Sequence, residues 1–322
     1  MADFSTTINR DGAGAPPVPE PVAAEIIKEL PKASVLLNRA RQVRMSSKTL
    51  KQPVLSALPD AYWVNGDTGL KQTTGAEWDN QVITAEELAA IVVIPDALFD
   101  DSSVPLWEEV RPLLTEAIGR KVDEAGIFGI DKPASWPTAI VPGALAAGNS
   151  VTAGTGKDLG VDVASLGQLL ARDGFAANGF ASEPGLNWEL VGLRTDNGVP
   201  LYQPSLAEGT PSNLYGKPLN EVDNGAWDST AAKLLAADWT KFVVGVRQDI
   251  SFQIFDSGVI SDANGKVIVN LMQQDSKALR VVFRLGFQVA NPLTRLNSDK
   301  AARYPAAVLA PAAPSGARVA SK

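Results

Sequence analysis

The stretch that decides the fold is DDSSVPLWEEVRPLLTEAIGRKVDEAGIF, Asp100–Phe128. Leu106, Val110, Leu113, Leu114, Ala117, Ile118, Val122 and Ala125 recur in steps of three and four, which lines them along one face of a helix. Glu108, Glu109, Glu116, Arg120, Lys121 and Glu124 lie largely off that face. Asp100, Asp101, Ser102 and Ser103 are good N-caps, and Pro105 suits a first turn that needs no amide donor. Pro112 removes one internal hydrogen bond and predicts a kink in the first third. At ~1.5 Å per residue the span is about 35 Å long. It is a one-faced spine whose partners must come from elsewhere in the chain.

The partner of matching length is Leu279–Val289. Leu279, Val281, Phe283, Leu285, Phe287 and Val289 alternate without a break, and eleven extended residues reach about 36 Å. A long strand under a long helix buries both apolar faces. About 150 residues separate the two, which predicts an inserted domain between them. Lys241–Phe255 reads as a second strand, alternating at Ile250, Phe252 and Ile254, and Ala89–Pro95 as a fully apolar strand leading into the spine. Asp162–Arg172 and Trp188–Arg194 have the pattern of short helices, followed by an Asp196-Asn197-Gly198 turn. The class is α+β.

The outer segments read differently. The first 21 residues are polar and Pro-rich and should be extended or disordered, Val22–Leu30 is a short helical pattern, and from Asn297 the chain becomes an Ala/Pro tail. Between Glu25 and Lys51 seven basic residues face two acidic ones, a net of +5. The whole chain carries −7, so the remainder carries −12. Such a run is a solvated face, or an arm laid across an acidic surface of another subunit. Asp60–Asn80 (DAYWVNGDTGLKQTTGAEWDN) has the glycines and turn pairs of a long hairpin, with Trp63 and Trp78 flanking its base. It has too few apolar residues for a core of its own. The tryptophans at 107, 136, 188, 227 and 239 are expected in the core.

Composition removes most chemistry. The chain has no cysteine and no histidine, which excludes disulfides, thiolate sites, Ser-His-Asp and Cys-His arrangements and nearly all zinc sites. GTGKDLG (Gly154–Gly160) fails as a phosphate loop, because Val151 stands where a glycine is needed and Asp158 where a Ser or Thr is needed. No cofactor or metal site is expected. The longest apolar run, Leu88–Ile94, is too short to span a bilayer, so no membrane partner is expected.

Several short stretches, taken in order, resemble the major capsid proteins of tailed phages with the Hong Kong 97 fold. They are Ser34-Val-Leu-Leu-Asn38, Val43-Arg-Met45, Pro53-Val-Leu55, Ala61-Tyr-Trp-Val64, Asp100-Asp-Ser102 and Lys121-Val-Asp-Glu-Ala125. Downstream come Asp196-Asn-Gly-Val-Pro-Leu201, Tyr215-Gly-Lys-Pro218, Ala237-Asp-Trp239 and Leu279-Arg-Val-Val-Phe-Arg284. The resemblance covers residues 22–296.

The resemblance implies an N-terminal arm (1–52), an extended hairpin loop (53–87), and a peripheral domain (88–138 and 266–298) holding spine helix and long strand. An inserted axial domain (139–265) and a flexible C-terminal tail (299–322) complete the chain. It implies a non-enzymatic shell protein forming pentamers and hexamers around packaged double-stranded DNA, assembled in a bacterial cytoplasm. Contacts between subunits are expected at Arg39, Arg41, Arg44, Lys48, Lys51, Trp63, Asp67, Lys71 and Trp78. The other expected partners are a portal, a separate scaffolding protein, because only about 21 residues precede the stretch where the resemblance begins, and a cementing protein. Some relatives crosslink a hairpin lysine to a C-terminal asparagine with a glutamate as base. Lys71 and Asn291 or Asn297 are suitably placed, but no glutamate follows Glu221, so crosslinking is not expected. The alternatives are an encapsulin-type nanocompartment shell, of the same fold, and a carboxylate-dependent hydrolase.

Overall fold

A computed structural model of the chain describes residues 34–64, 71, 73–101, 106–156, 158–194, 202 and 212–312. The expected helix at 22–30 and the turn at 196–198 lie outside them. In chain order the elements are α1 (Val35–Arg39), β1 (Arg41–Arg44), β2 (Thr49–Ala57), β3 (Glu77–Thr84), β4 (Glu86–Pro95), α2 (Asp96–Asp101) and α3 (Leu106–Asp123). Then follow α4 (Ile140–Ala146), β5 (Ser150–Thr152), α5 (Leu159–Arg172), β6 (Gly179–Ser182), α6 (Leu186–Gly192), β7 (Asn213–Leu214) and β8 (Lys217–Glu221). The last are β9 (Leu234–Ala237), β10 (Phe242–Phe255), β11 (Val259–Ser261), β12 (Val267–Asn270), β13 (Ser276–Val289) and β14 (Ala306–Ala310).

Two compact units share these elements. The first takes Glu86–Gly119 and Gln248–Leu285. In it β4 and β13 pair antiparallel from Glu86↔Leu285 to Pro95↔Ser276. The alternation of β13 sends Leu279, Val281, Phe283 and Leu285 into buried positions. The spine begins where expected, at Leu106. Of the expected cap residues, Asp100 and Asp101 close the short helix α2, while Ser102, Ser103 and Pro105 lie outside the described residues. Ile94, Leu98 and Leu106 form a small buried cluster with Trp107 and Val110 against it, which fastens the first turn of α3. Farther along, the Arg111 guanidinium lies 5.9 Å from the centre of the Phe252 ring. Leu113, expected on the apolar face, is 49% exposed.

The second unit takes residues 33–85, 120–247 and 286–322. The spine ends here in a π-helical turn, Glu124–Phe128, stopped by Gly129 in the left-handed region (φ 81°). A six-stranded sheet has the order β5-β14-β9-β6-β8-β7. Val163, Leu166 and Leu170, on one face of α5, pack with Phe180, Leu234, Ala236, Ala307 and Leu309 of that sheet. The segment 299–322, expected as a flexible tail, is corrected in part by this sheet. Its residues 306–310 form β14, an interior strand paired to β5 and β9 and buried from Ala306 to Leu309. A strand buried on both faces has no polar alternation, so AAVLA between two prolines reads as linker.

Of the five tryptophans expected in the core, Trp136 and Trp239 are buried, but Trp188 is 75% exposed on α6. A seven-residue helix has little more than one apolar face to bury, and Leu186 and Leu190 occupy it.

Candidate assembly interface

β2 and β3 form a two-stranded antiparallel ladder, from Thr49↔Thr84 to Leu55↔Trp78, with a bulge between Leu55 and Ala57. Cross-strand partners share a face. One face pairs Leu50 with Ile83, Gln52 with Gln81 and Val54 with Asp79. The other pairs Lys51 with Val82, Pro53 with Asn80 and Leu55 with Trp78.

The first face is anchored. Ile83, fully buried, packs with Met45, Ala85 and Val243. Gly286 is needed there, because a Cβ on it would lie 2.6 Å from the Thr84 carbonyl oxygen. Leu293 N–H donates to the Leu55 carbonyl at 3.0 Å, Gln288 Nε2 to that of Val82 at 3.0 Å, and Lys300 Nζ lies 3.5 Å from Asp79 Oδ2.

The second face is largely open, with Lys51, Pro53, Trp78, Asn80 and Val82 exposed and Leu55 half-buried. Trp78 is 65% exposed and Val82 44%. Beyond the bulge, Tyr62 is 41% and Trp63 98% exposed. Sequence reasoning found the tryptophans but missed Pro53, Leu55 and Val82 beside Trp78, because the register that brings them together is not legible from either strand alone.

The expected contact residues divide into three groups. Trp78 and Lys51 sit together on the open hairpin face. Trp63 and Lys71 are exposed farther out, and Asp67 lies outside the described residues. Arg41 and Arg44 of β1, and Lys48 after it, are also exposed, and none of these three makes an ion pair with another described residue. Arg39 is different. Its Nη2 donates to the Asn178 carbonyl at 3.1 Å, and the guanidinium fills the space beside Gly179 where a Cβ would go. It is half-buried within its own subunit, so its charge is spent on an internal contact.

Asp123 at the end of the spine fixes the start of α1. Its fully buried carboxylate accepts from Ser34 Oγ (2.7 Å), Val35 N (3.1 Å), Leu36 N (2.9 Å) and Asn224 Nδ2 (2.8 Å). Burial pushes this carboxyl above its ordinary value, against the pull of those donors. Ser34 in turn caps α1 by accepting from Leu37 N.

Other candidate chemistry is occupied by structure. Asp162 accepts from the Gly154 N–H (2.7 Å) and the Gly156 N–H (2.6 Å), so a carboxylate of this chain already sits at the amides of the would-be phosphate loop. A cleft between α5 and α6, lined by Gly160, Leu190, Leu193, Tyr215 and others, has Asp158 as its one carboxylate among the described residues. That carboxylate caps α5 by accepting from Val161 N at 2.9 Å. No group of three or more His, Cys, Asp or Glu among the described residues could hold a metal ion.

Asn291 and Asn297 are engaged as well. Asn291 Nδ2 donates to the Arg303 carbonyl (2.7 Å) and its Oδ1 accepts from Arg303 Nε (3.0 Å). Asn297 Nδ2 donates to the buried carboxylate of Asp173 (2.9 Å).

A family model described as the phage capsid family matches residues 14–293. The chain belongs to the phage capsid family. It is 24% identical over 269 residues, 83% of this chain and 79% of the relative, to the major capsid protein of Staphylococcus phage 80alpha. A solved structure from Microbacterium phage Oxtober96 is 36% identical, with 89% of this chain and 94% of that chain covered and a TM-score of 0.79. One from Mycobacterium phage Bobi is 30% identical, covering 92% and 96%, with a TM-score of 0.79. The fold is that of the Hong Kong 97-type capsid proteins, as the resemblance implies.

Proposed function

We infer that the chain is a major capsid protein, which assembles through repeated heterologous contacts into pentamers and hexamers and closes an icosahedral shell around the DNA of a tailed phage. The observation that carries this reading is the hairpin: a two-stranded ribbon is marginal alone, and this one leaves Trp63, Trp78 and Val82 in water. A neighbouring copy of the chain is the partner that covers them. The contact set is Arg41, Arg44, Lys48, Lys51, Trp63, Asp67, Lys71 and Trp78, with Pro53, Leu55 and Val82 added and Arg39 removed. Each subunit touches several others, so modest contacts compound.

The working division keeps the arm, extended loop, peripheral and axial ranges given above, with residues 306–310 added to the axial domain. Catalysis has no part in this reading. Asn291 and Asn297 are held in hydrogen bonds, which favours a shell without Lys–Asn crosslinks. A portal and a separate scaffolding protein, and optionally a cementing protein, complete assembly in the host cytoplasm. Packaged DNA meets a chain of net −7 and is held by confinement, not by sequence-specific contacts.

Sedimentation velocity and negative-stain electron microscopy of the purified chain, alone and with the head-assembly proteins of its phage, test this. Five- and six-membered rings or closed particles are expected. A monodisperse monomer at every concentration and in every mixture overturns it, and closed particles enclosing a folded protein cargo instead of DNA turn it to the encapsulin reading.

A further inference from the structure

The sheet order β5-β14-β9-β6-β8-β7 places the strand made last between two made long before it. β14 pairs parallel with β5 over Val308↔Ser150 to Ala310↔Thr152, and antiparallel with β9 over Ala306↔Ala237 to Leu309↔Leu234. Without it β5 has no partner in the sheet, and β9 loses one of its two ladders. The slot is dry, since Ala306, Ala307, Val308 and Leu309 are all 0% exposed.

The residues leading into β14 fill a second, polar site. Asp173 is fully buried, and its carboxylate accepts from Asn149 Nδ2 (2.7 Å), Asn297 Nδ2 (2.9 Å) and Tyr304 N (3.1 Å), with Arg172 Nε 3.7 Å away. Two of those three hydrogen bonds arrive only with the segment 297–304. Arg303 is itself buried and donates to Asn291 Oδ1 (3.0 Å) and the Asn297 carbonyl (3.0 Å). The Tyr304 ring fills the space beside Gly143, where a Cβ would lie 2.5 Å from it. A buried carboxylate stripped of its donors is unfavourable, so the sheet and this site reward the same event.

We propose that residues 297–310 act as a closing strand: the slot between β5 and β9 stays open until they dock, and docking converts the subunit from assembly-incompetent to assembly-competent. An open slot presents two unpaired strand edges, so an unfinished subunit cannot offer its neighbours a native axial sheet. Growth of the shell then admits only finished subunits.

Val308 is the residue to break, because its N–H donates to the Asn149 carbonyl at 2.9 Å and proline removes that donor inside the sheet. In the full-length Val308→Pro chain, amide hydrogen exchange at Leu234–Ala237 is expected to lose at least about a hundredfold in protection. Protection of the β4–β13 ladder (Glu86–Pro95 with Ser276–Leu285) is expected to remain, and particles to be absent. A synthetic peptide of residues 297–312 added during refolding restores protection at Leu234–Ala237, while the same peptide carrying Val308→Pro does not. Native protection of β9 in the variant overturns the proposal. Loss of protection throughout both units, unrelieved by the peptide, overturns it too, because the strand would then support the whole chain instead of closing one slot. The exchange readouts are taken on the subunit, so they stand apart from the shell reading, whereas particles formed by a variant with an unprotected β9 overturn the proposal as well.

Discussion

The six-stranded sheet and the β2–β3 hairpin lie in the same unit of the chain and bury their strands in opposite ways. β6 and β9 are buried at every residue, whereas the hairpin buries only Val54 and Ile83. The sheet finds its covering within the subunit, from α5 on one side and its own late strand in the middle. The hairpin is held at one face and, on the proposed reading, leaves the other for a neighbour. The difference teaches which part of a shell subunit folds for itself and which part is completed by assembly.

Four variants, two of them double substitutions, sharpen or break that contrast. Leu166→Ala, in the core under the sheet, is expected to cost about 2–5 kcal/mol of subunit stability, read by chemical denaturation. Trp63→Ala with Trp78→Ala should change subunit stability by less than about 0.5 kcal/mol, since both side chains are exposed. The same pair should raise the concentration needed for particle formation roughly thirtyfold, equivalent to about 2 kcal/mol per contact, measured by light scattering. Equal effects of the Leu166 and tryptophan changes on the isolated subunit would erase the distinction.

Asp123→Asn leaves donors around the start of α1 poorly satisfied and should cost about 1–3 kcal/mol. It also has a pH signature. Burial raises this carboxyl above 3.8, so the folded state holds its proton more readily than the unfolded one. The resulting stability is complete below 3.8 and is lost as pH rises through the folded value. The asparagine variant has no such slope, so the gap in melting temperature between parent and variant should narrow as pH rises from 3.8. The smallest effect belongs to Arg41→Gln with Lys51→Gln. Exposed charges contribute about 0.2–1 kcal/mol each, and the loss in assembly rate should fade as salt is added.

The long elements were legible because periodicity survives where a segment buries one face. Leu279–Val289 alternates in sequence and lies within β13, and Lys241–Phe255 foretells β10 to within one residue. The spine pattern foretells α3, though not that Asp100 and Asp101 would close a separate helix before it. β14 was illegible because a strand buried on both faces has no alternation and its small residues imitate a linker. At the candidate interface, Trp63 and Trp78 stood out by type, whereas the use of Arg39 inside the subunit depends on a contact 139 residues away. A basic run looks the same in sequence whether its charges face a neighbour or a carbonyl of its own chain.

The most direct test compares amide hydrogen exchange over Thr49–Ala57 and Glu77–Thr84 in free subunits and in assembled particles. Protection that is low in the free subunit at Pro53–Ala57 and Glu77–Val82 and rises at least about tenfold on assembly is the predicted result. Equal protection in both states, or particles in which these amides exchange freely, would contradict the claim that a neighbouring subunit covers the open face of the hairpin.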